Sequence, residues 1–509
     1  MKDNLIIGRE GREKLASGIR KAADAVGITM GTSGKNSLIQ CVENPYHYIT
    51  NDGATILSSI KFADPIEEIG REILLEAVTR SNKASGDGSS TCCILCSSII
   101  EEGMKHIDEV SSMELKNSLE ECLPIIEASI NAQKRDITVD EVGAVASVSA
   151  EDAGIGAMIQ TIYQQIGKTG IIQWDISKTF EDSYTIGKGI TINWAGFASP
   201  YMADFDDKTG NLTKEAKWNN PYILLTRQKI TTAADFNVLF EQLFKKDIKE
   251  IVVFCDEFEG NIIGDLIQTR AVRGFKTLLI KMPTIWKDEW YADLAKATGA
   301  TIIDPTLGLS FKNMTMEHLG RVEHIVVSKD ETFIDGIKDL SEHIASLEAE
   351  GTDESRLRAS RLNTKTARYF VGAHSESALA YRRLKVEDAI AAAWQALNGG
   401  IVAGGGSALA SIELPNTVGG KILTEALKAP AQQIATNAGY EYDIDWLDYK
   451  NGMGLDSRDK ALVNMFDAQI TDPANIVLNA CRNAISVAAS VLTASTIVTL
   501  IPLEKPNGL

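Results

Sequence analysis

The middle of this chain does most to narrow its possible folds. From Tyr222 onward, short β-rich runs at Tyr222 to Leu225, Ile251 to Phe254, Thr277 to Ile280 and Thr301 to Ile303 alternate with stretches of helical periodicity. Their even spacing and crossover-length connections are those of βαβ units, so a largely parallel sheet is expected there. The flanks read differently. Residues 1–133 are mostly helical, with apolar positions at helical spacing in Leu15 to Val26, Ile66 to Val78 and Thr91 to Met104, and a strand-turn-strand around Cys41 to Leu57. Residues 408–509 share that texture, and Pro473 to Thr493, apolar on nearly every face, predicts a helix buried inside a helical domain. An α/β domain thus interrupts two helical segments. After the sheet, Asp335 to Arg368 is charged and free of proline, which predicts a solvated helix or helical pair turning at Gly351; Glu376 to Leu397 predicts another helix.

A chain of 509 residues exceeds one core and suggests about three domains of roughly 150 residues. Its 51 basic against 69 acidic residues give a net charge of -18, which disfavours nucleic acid, because a phosphate backbone demands clustered Lys and Arg. The start Met1-Lys2-Asp3-Asn4 lacks the pattern of a secretory signal, and no run approaches the roughly 20 apolar residues of a membrane span. A cytoplasmic location without membrane contact is therefore expected. The seven cysteines are an odd number, which argues for reduced thiols. Cys92, Cys93 and Cys96 fall in an apolar run with no second Cys or His cluster to complete a metal site, so they read as small buried hydrophobes.

Chemistry concentrates in glycine-rich turns. In Gly86-Asp87-Gly88-Ser89-Ser90-Thr91 two glycines bracket a carboxylate just before a helix start, whose free N–H groups suit phosphate oxygens while Asp87 suits Mg2+. The same run is also a plain turn followed by a Ser N-cap. Similar turns occur at Thr29-Met30-Gly31-Thr32, Asn51-Asp52-Gly53 and Ala403-Gly404-Gly405-Gly406. Gly167-Lys168-Thr169 carries the tail of a Walker A loop, but Ile162 stands where its first glycine belongs.

In order and spacing these turns, with Val386-Glu387-Asp388-Ala389 and Asp472-Pro473, resemble the group I, GroEL-like chaperonins over essentially the whole chain. The resemblance implies a multidomain α/β chain. Residues 1–133 and 408–509 would form a helical equatorial ATPase domain, 134–188 and 373–407 a hinged intermediate domain, and 189–372 an α/β apical domain that binds substrate. It puts Thr29, Met30, Gly31, Thr32, Asp87, Gly88, Ser89, Ser90, Thr91, Gly405, Asp456 and Asp472 around ATP, with Asp87 on Mg2+ and Asp472 on the ribose. Asp388 matches the carboxylate that orients the attacking water, and Asp52 its partner. Among the departures, Thr32 stands where the family has Pro, Ser89 and Ser90 replace threonines, and Asp456 stands for an Asn near the base. Asn51 replaces a lysine beside the K+ site that the family keeps next to the phosphates. The run Asn51-Asp52-Gly53-Ala54-Thr55-Ile56-Leu57 instead resembles the group II, thermosome-like branch.

By the same resemblance, Phe197, Tyr201, Met202, Phe240, Ile263 and Ile267 form an apolar groove for non-native polypeptides and for a co-chaperonin lid, with Asn237 and Gln268 as polar members. Taken singly, each of these residues also reads as ordinary core. The implied function is an ATP-dependent chaperone that encloses clients in a homo-oligomeric, heptameric ring. Two rivals stand beside it: a soluble ATP-using enzyme, for which the central domain shows no catalytic cluster, and a passive ring scaffold or holdase with a weakened ATPase.

Overall fold

A computed structural model describes residues 5–40, 48–205, 212–284, 286–350, 352–363, 365–440, 444 and 446–499. The first expected strand near Cys41 and the turn at Gly351 lie outside these residues. The chain divides into two compact units, residues 1–168, 174–183 and 370–509 in one and 169–173 and 184–369 in the other.

The first unit is built on the helix Ala474–Thr493, against which Pro65–Ser85, Ser89–His106 and Ser112–Gln133 pack. Its Ala and Cys positions (Ala480, Cys481, Ala484, Ala488) are fully or almost fully buried, so neighbouring helices approach closely. By length and mean hydropathy of 1.4 it could cross a membrane, contrary to the expectation that no run is so apolar; here it is the centre of a helical core. The cysteines Cys92, Cys93, Cys96 and Cys481 share that core, and burial pushes every one of these thiols up. Helices Val142–Ala150, Ala153–Ile166 and Glu376–Gly399 pack on one another in the same unit.

The strand-turn-strand needs correction. Ser37–Ile39 and Tyr48–Thr50 do pair antiparallel, but Asn51-Asp52-Gly53 is no hairpin turn. The Asp52 carboxylate accepts from the Thr55 N–H at 2.7 Å and so caps a helix, Gly53–Ser59.

In the second unit the βαβ reading holds. Tyr222–Thr226, Glu250–Cys255 and Lys276–Lys281 run parallel, and Ile302–Ile303 returns parallel to the far side of Tyr222–Thr226. These strands are buried along nearly their whole length, as parallel strands covered on both faces must be. A second sheet has Ser183–Asn193, Glu331–Asp335, His324–Val327 and Ala216–Asn219 in antiparallel succession. The charged run after it forms the expected pair, Ser341–Glu350 and Asp353–Leu362, but it is not simply solvated. Ile344, Leu347, Ala359 and Leu362 enter the core, and Asp293 accepts from Arg358 at 2.7 Å and faces His343 at 2.8 Å.

Candidate functional site

Helix Pro65–Ser85 stops at Gly86, whose φ of 76° suits glycine and whose N–H reaches back to the Asn82 carbonyl. Gly88, at φ 90°, is the N-cap of Ser89–His106 and offers no side-chain cap, so the first-turn N–H groups of that helix stay open. Side chains are excluded for a second reason. A Cβ on Gly86 would lie 2.5 Å from the Cβ of Ala391, and one on Gly88 would lie 2.7 Å from Ile476. The loop is therefore wedged between the helix that carries Asp388 and the central helix Ala474–Thr493. Asp87 accepts from the Gly88 N–H at 2.5 Å and from Ser149 Oγ at 2.9 Å.

Other turns converge here. Gly53, next to Asp52, sits so near Ser89 and Ser90 that a Cβ would meet their hydroxyls at 3.2 and 3.1 Å. Ile401–Ala403 pairs antiparallel with Thr471–Pro473, Val402 opposite Asp472, and this register sets the following glycines beside Asp472. Gly405 and Gly406 take φ of 63° and 76°.

The carboxylates of Asp52, Asp87, Asp388 and Asp472 lie close enough to act on one another. Burial pushes Asp388 well above the ordinary carboxylate value, and Asp87, Asp52 and Glu387 push it further, while Lys385 opposes them. Asp87 is raised by burial and by Asp52, against the Gly88 N–H, Ser149 and Lys385. Burial and the charge of Asp87 push Asp472 up to about 7, against the Gly405 N–H. Carboxylates that repel one another favour a cation between them, and hard carboxylate oxygens suit Mg2+. Among the described residues no group of three His, Cys, Asp or Glu closes into a protein-only cage, so an ion here would complete its shell with phosphate and water oxygens.

Thr29 and Met30 are buried, and Thr29 Oγ1 donates to the Val26 carbonyl, so its hydroxyl is committed to the helix end. Thr32 Oγ1 lies 2.7 Å from Ser457 Oγ, next to Asp456. Burial alone would raise Asp456, but the Arg458 guanidinium and N–H hold it below the usual range. Gly454, on the same hairpin, presses on Ser407 directly after the glycine run, which ties the Thr32 and Gly405 loops together. Gly31 packs on Ile434, while Ser89 is buried and Ser90 and Thr91 are half-buried.

Sequence reasoning missed Ser149, Glu151 and Lys385. Ser149 lies in an unremarkable apolar run, with no local mark of its bond to Asp87. Lys385 could have been found, since it stands one turn before Asp388 on the same helix.

The six expected groove residues of the second unit differ in exposure. Phe197, Met202 and Phe240 are core residues, 8%, 3% and 7% exposed, and Phe240 packs its ring on Phe236 and Phe275. A parallel sheet needs such side chains beneath its helices. Tyr201 is 62% exposed, Ile263 and Ile267 are half-buried, and Tyr201, Met202 and Ile267 line a small cleft with Leu266 and Arg270.

The sequence model of the TCP-1/cpn60 chaperonin family matches residues 22–502. In fold the chain resembles the chaperonin gp146 from the bacteriophage EL 2 (Pseudomonas aeruginosa), crystallised in the presence of ATP-BeFx. Crystal form II gives a TM-score of 0.69 at 17% identity over 97% of this chain and 98% of that one. Crystal form I gives 0.65 at 17% identity over 98% and 100%. At that identity the likeness concerns the fold alone.

Proposed function

Because the chain belongs to the TCP-1/cpn60 chaperonin family, we propose that it is an ATP-driven folding chaperone whose nucleotide site is the carboxylate cluster of the first unit. The observation that carries this reading is the convergence of Asp52, Asp87, Asp388 and Asp472 on the uncapped start of Ser89–His106. Open N–H groups at a helix start take phosphate oxygens. Asp87, at the mouth of that helix, would hold Mg2+. Bound there, Mg2+ supplies neutralisation of the charge on the transferring phosphate.

Phosphoryl transfer asks the protein mainly for positioning. Asp388 orients the attacking water and, as the ionised carboxylate, takes its proton. Asp52 is its partner across the site. Gly405 and Gly88 bring backbone close to the nucleotide, Asp472 holds the ribose, Asp456 lies near the base, and Thr29, Met30, Gly31 and Thr32 complete the surroundings of the nucleotide.

Substrate polypeptide binding and ring assembly go with the family. A heptameric ring, a co-chaperonin lid, a cytoplasmic location and the equatorial, intermediate and apical division of the chain belong to the same proposal. A separate lid is favoured because each connection between the parallel strands from Tyr222 to Ile303 holds a single short α-helix, preceded in the first by the 3-10 turn Ala233–Phe236. The direct test is phosphate release by the purified chain with Mg-ATP. Turnover that stops on chelation of Mg2+ supports the reading; none at saturating Mg-ATP refutes it.

A further inference from the structure

Lys385 has a position that the proposed chemistry does not yet use. Its side chain, on the helix Glu376–Gly399 one turn before Asp388, is almost fully buried. The ammonium lies 3.0 Å from Glu151 Oε1. The same Glu151 oxygen is 3.4 Å from the Asn51 amide, which adjoins Asp52. Glu151 itself closes the helix Val142–Ala150 at φ 55°, a left-handed conformation unusual for a residue with a side chain. Helix, capping turn and Asp52 loop therefore meet on one carboxylate oxygen. Lys385 also acts through its charge on both Asp87 and Asp388.

We propose that Lys385 is the residue that discriminates nucleoside triphosphate from diphosphate, held by Glu151 in the free chain and transferred to the terminal phosphate when a triphosphate binds. The inference rests on the reading of this cluster as a nucleotide site. A buried ammonium keeps its charge only with an anionic partner in reach. Glu151 provides that partner in the free chain, and a terminal phosphate, richer in charge and acceptor oxygens, competes for it. Asn51 remains to bond the carboxylate that Lys385 leaves, so the exchange strands no buried charge. Because Lys385 and Asp388 share a helix, the exchange also draws Asp388 toward the phosphate it is to serve.

Calorimetric titration of the full chain with ADP and with a non-hydrolysable ATP analogue, both with Mg2+, tests this. Lys385→Met should weaken analogue binding at least ten-fold more than ADP binding, and Lys385→Arg should restore most of the difference. Glu151→Gln, which releases the ammonium, should tighten the analogue relative to ADP. Equal losses for both nucleotides in Lys385→Met, or an unchanged ratio in Glu151→Gln, overturn the proposal; if Lys385→Met fails to fold, the Glu151→Gln ratio decides alone. Failure of the wild-type chain to bind either nucleotide overturns the site reading itself and the proposal with it.

Discussion

Asp388 and Asp472 carry the most pointed expectations at the scale of single residues. Asp388→Ala should cut steady-state ATP turnover by roughly 10²- to 10⁴-fold, the range for loss of a positioned general base, with nucleotide affinity far less affected. Phosphate release and equilibrium titration measured together check it. Asp472 makes a pH prediction. Its carboxyl is raised from an ordinary 3.8 to about 7, so the nucleotide-free fold keeps a proton that the unfolded chain releases. The stability this group contributes is complete below about pH 4 and lost as pH rises through about 7. Asp472→Asn, which cannot lose that proton, should therefore gain thermal stability over wild type as pH goes from about 5 to about 8. An unchanged difference in melting temperature would contradict the placement. Asp52, Asp87, Asp388 and Asp472 were each legible in the sequence because a glycine or proline marks the turn nearby or a family motif surrounds them. Ser149 and Glu151 were not, since their importance comes from a partner distant in sequence.

The loop Gly86–Gly88 joins sequence to site at the scale of elements. Gly86→Ala would force a Cβ both into a left-handed backbone and against Ala391 on the Asp388 helix, and should cost about 1–3 kcal/mol in thermal or denaturant unfolding. The parallel strands were readable because a strand buried on both faces is a continuous apolar run between helical stretches. Asn51-Asp52-Gly53 misled for a physical reason. The same carboxylate that makes Asp a good turn residue also makes it a good N-cap, and only the following Ala54 to Leu57, packed as a helix, decides between them. The helical pair Ser341–Leu362 looked solvated because its charges outnumber its apolar residues. Its few buried positions and the Asp293 ion pairs are visible only once the core is assembled.

For the whole molecule, exposure separates Tyr201 from Phe240 among the expected groove residues. Phe240→Ser should lower the stability of the second unit by about 3–5 kcal/mol, as expected for emptying an aromatic core site. Tyr201→Ser should leave stability nearly unchanged while weakening suppression of client aggregation. Unfolding curves beside a light-scattering assay separate the two, and equal effects on both readouts would return Tyr201 to the core. Particle images of the purified chain with ATP should show rings, as the family implies, and monomers alone would remove the chamber from the proposal. The proposed Mg-ATP site is formed by turns distant in sequence, and its most direct measurement is calorimetric titration of Mg-ATP into wild type and Asp87→Ala. It predicts one nucleotide per chain and an affinity lowered at least ten-fold, about 1.4 kcal/mol, when the Asp87 carboxylate is removed. Equal affinities in the two proteins, or no binding by wild type, would contradict it.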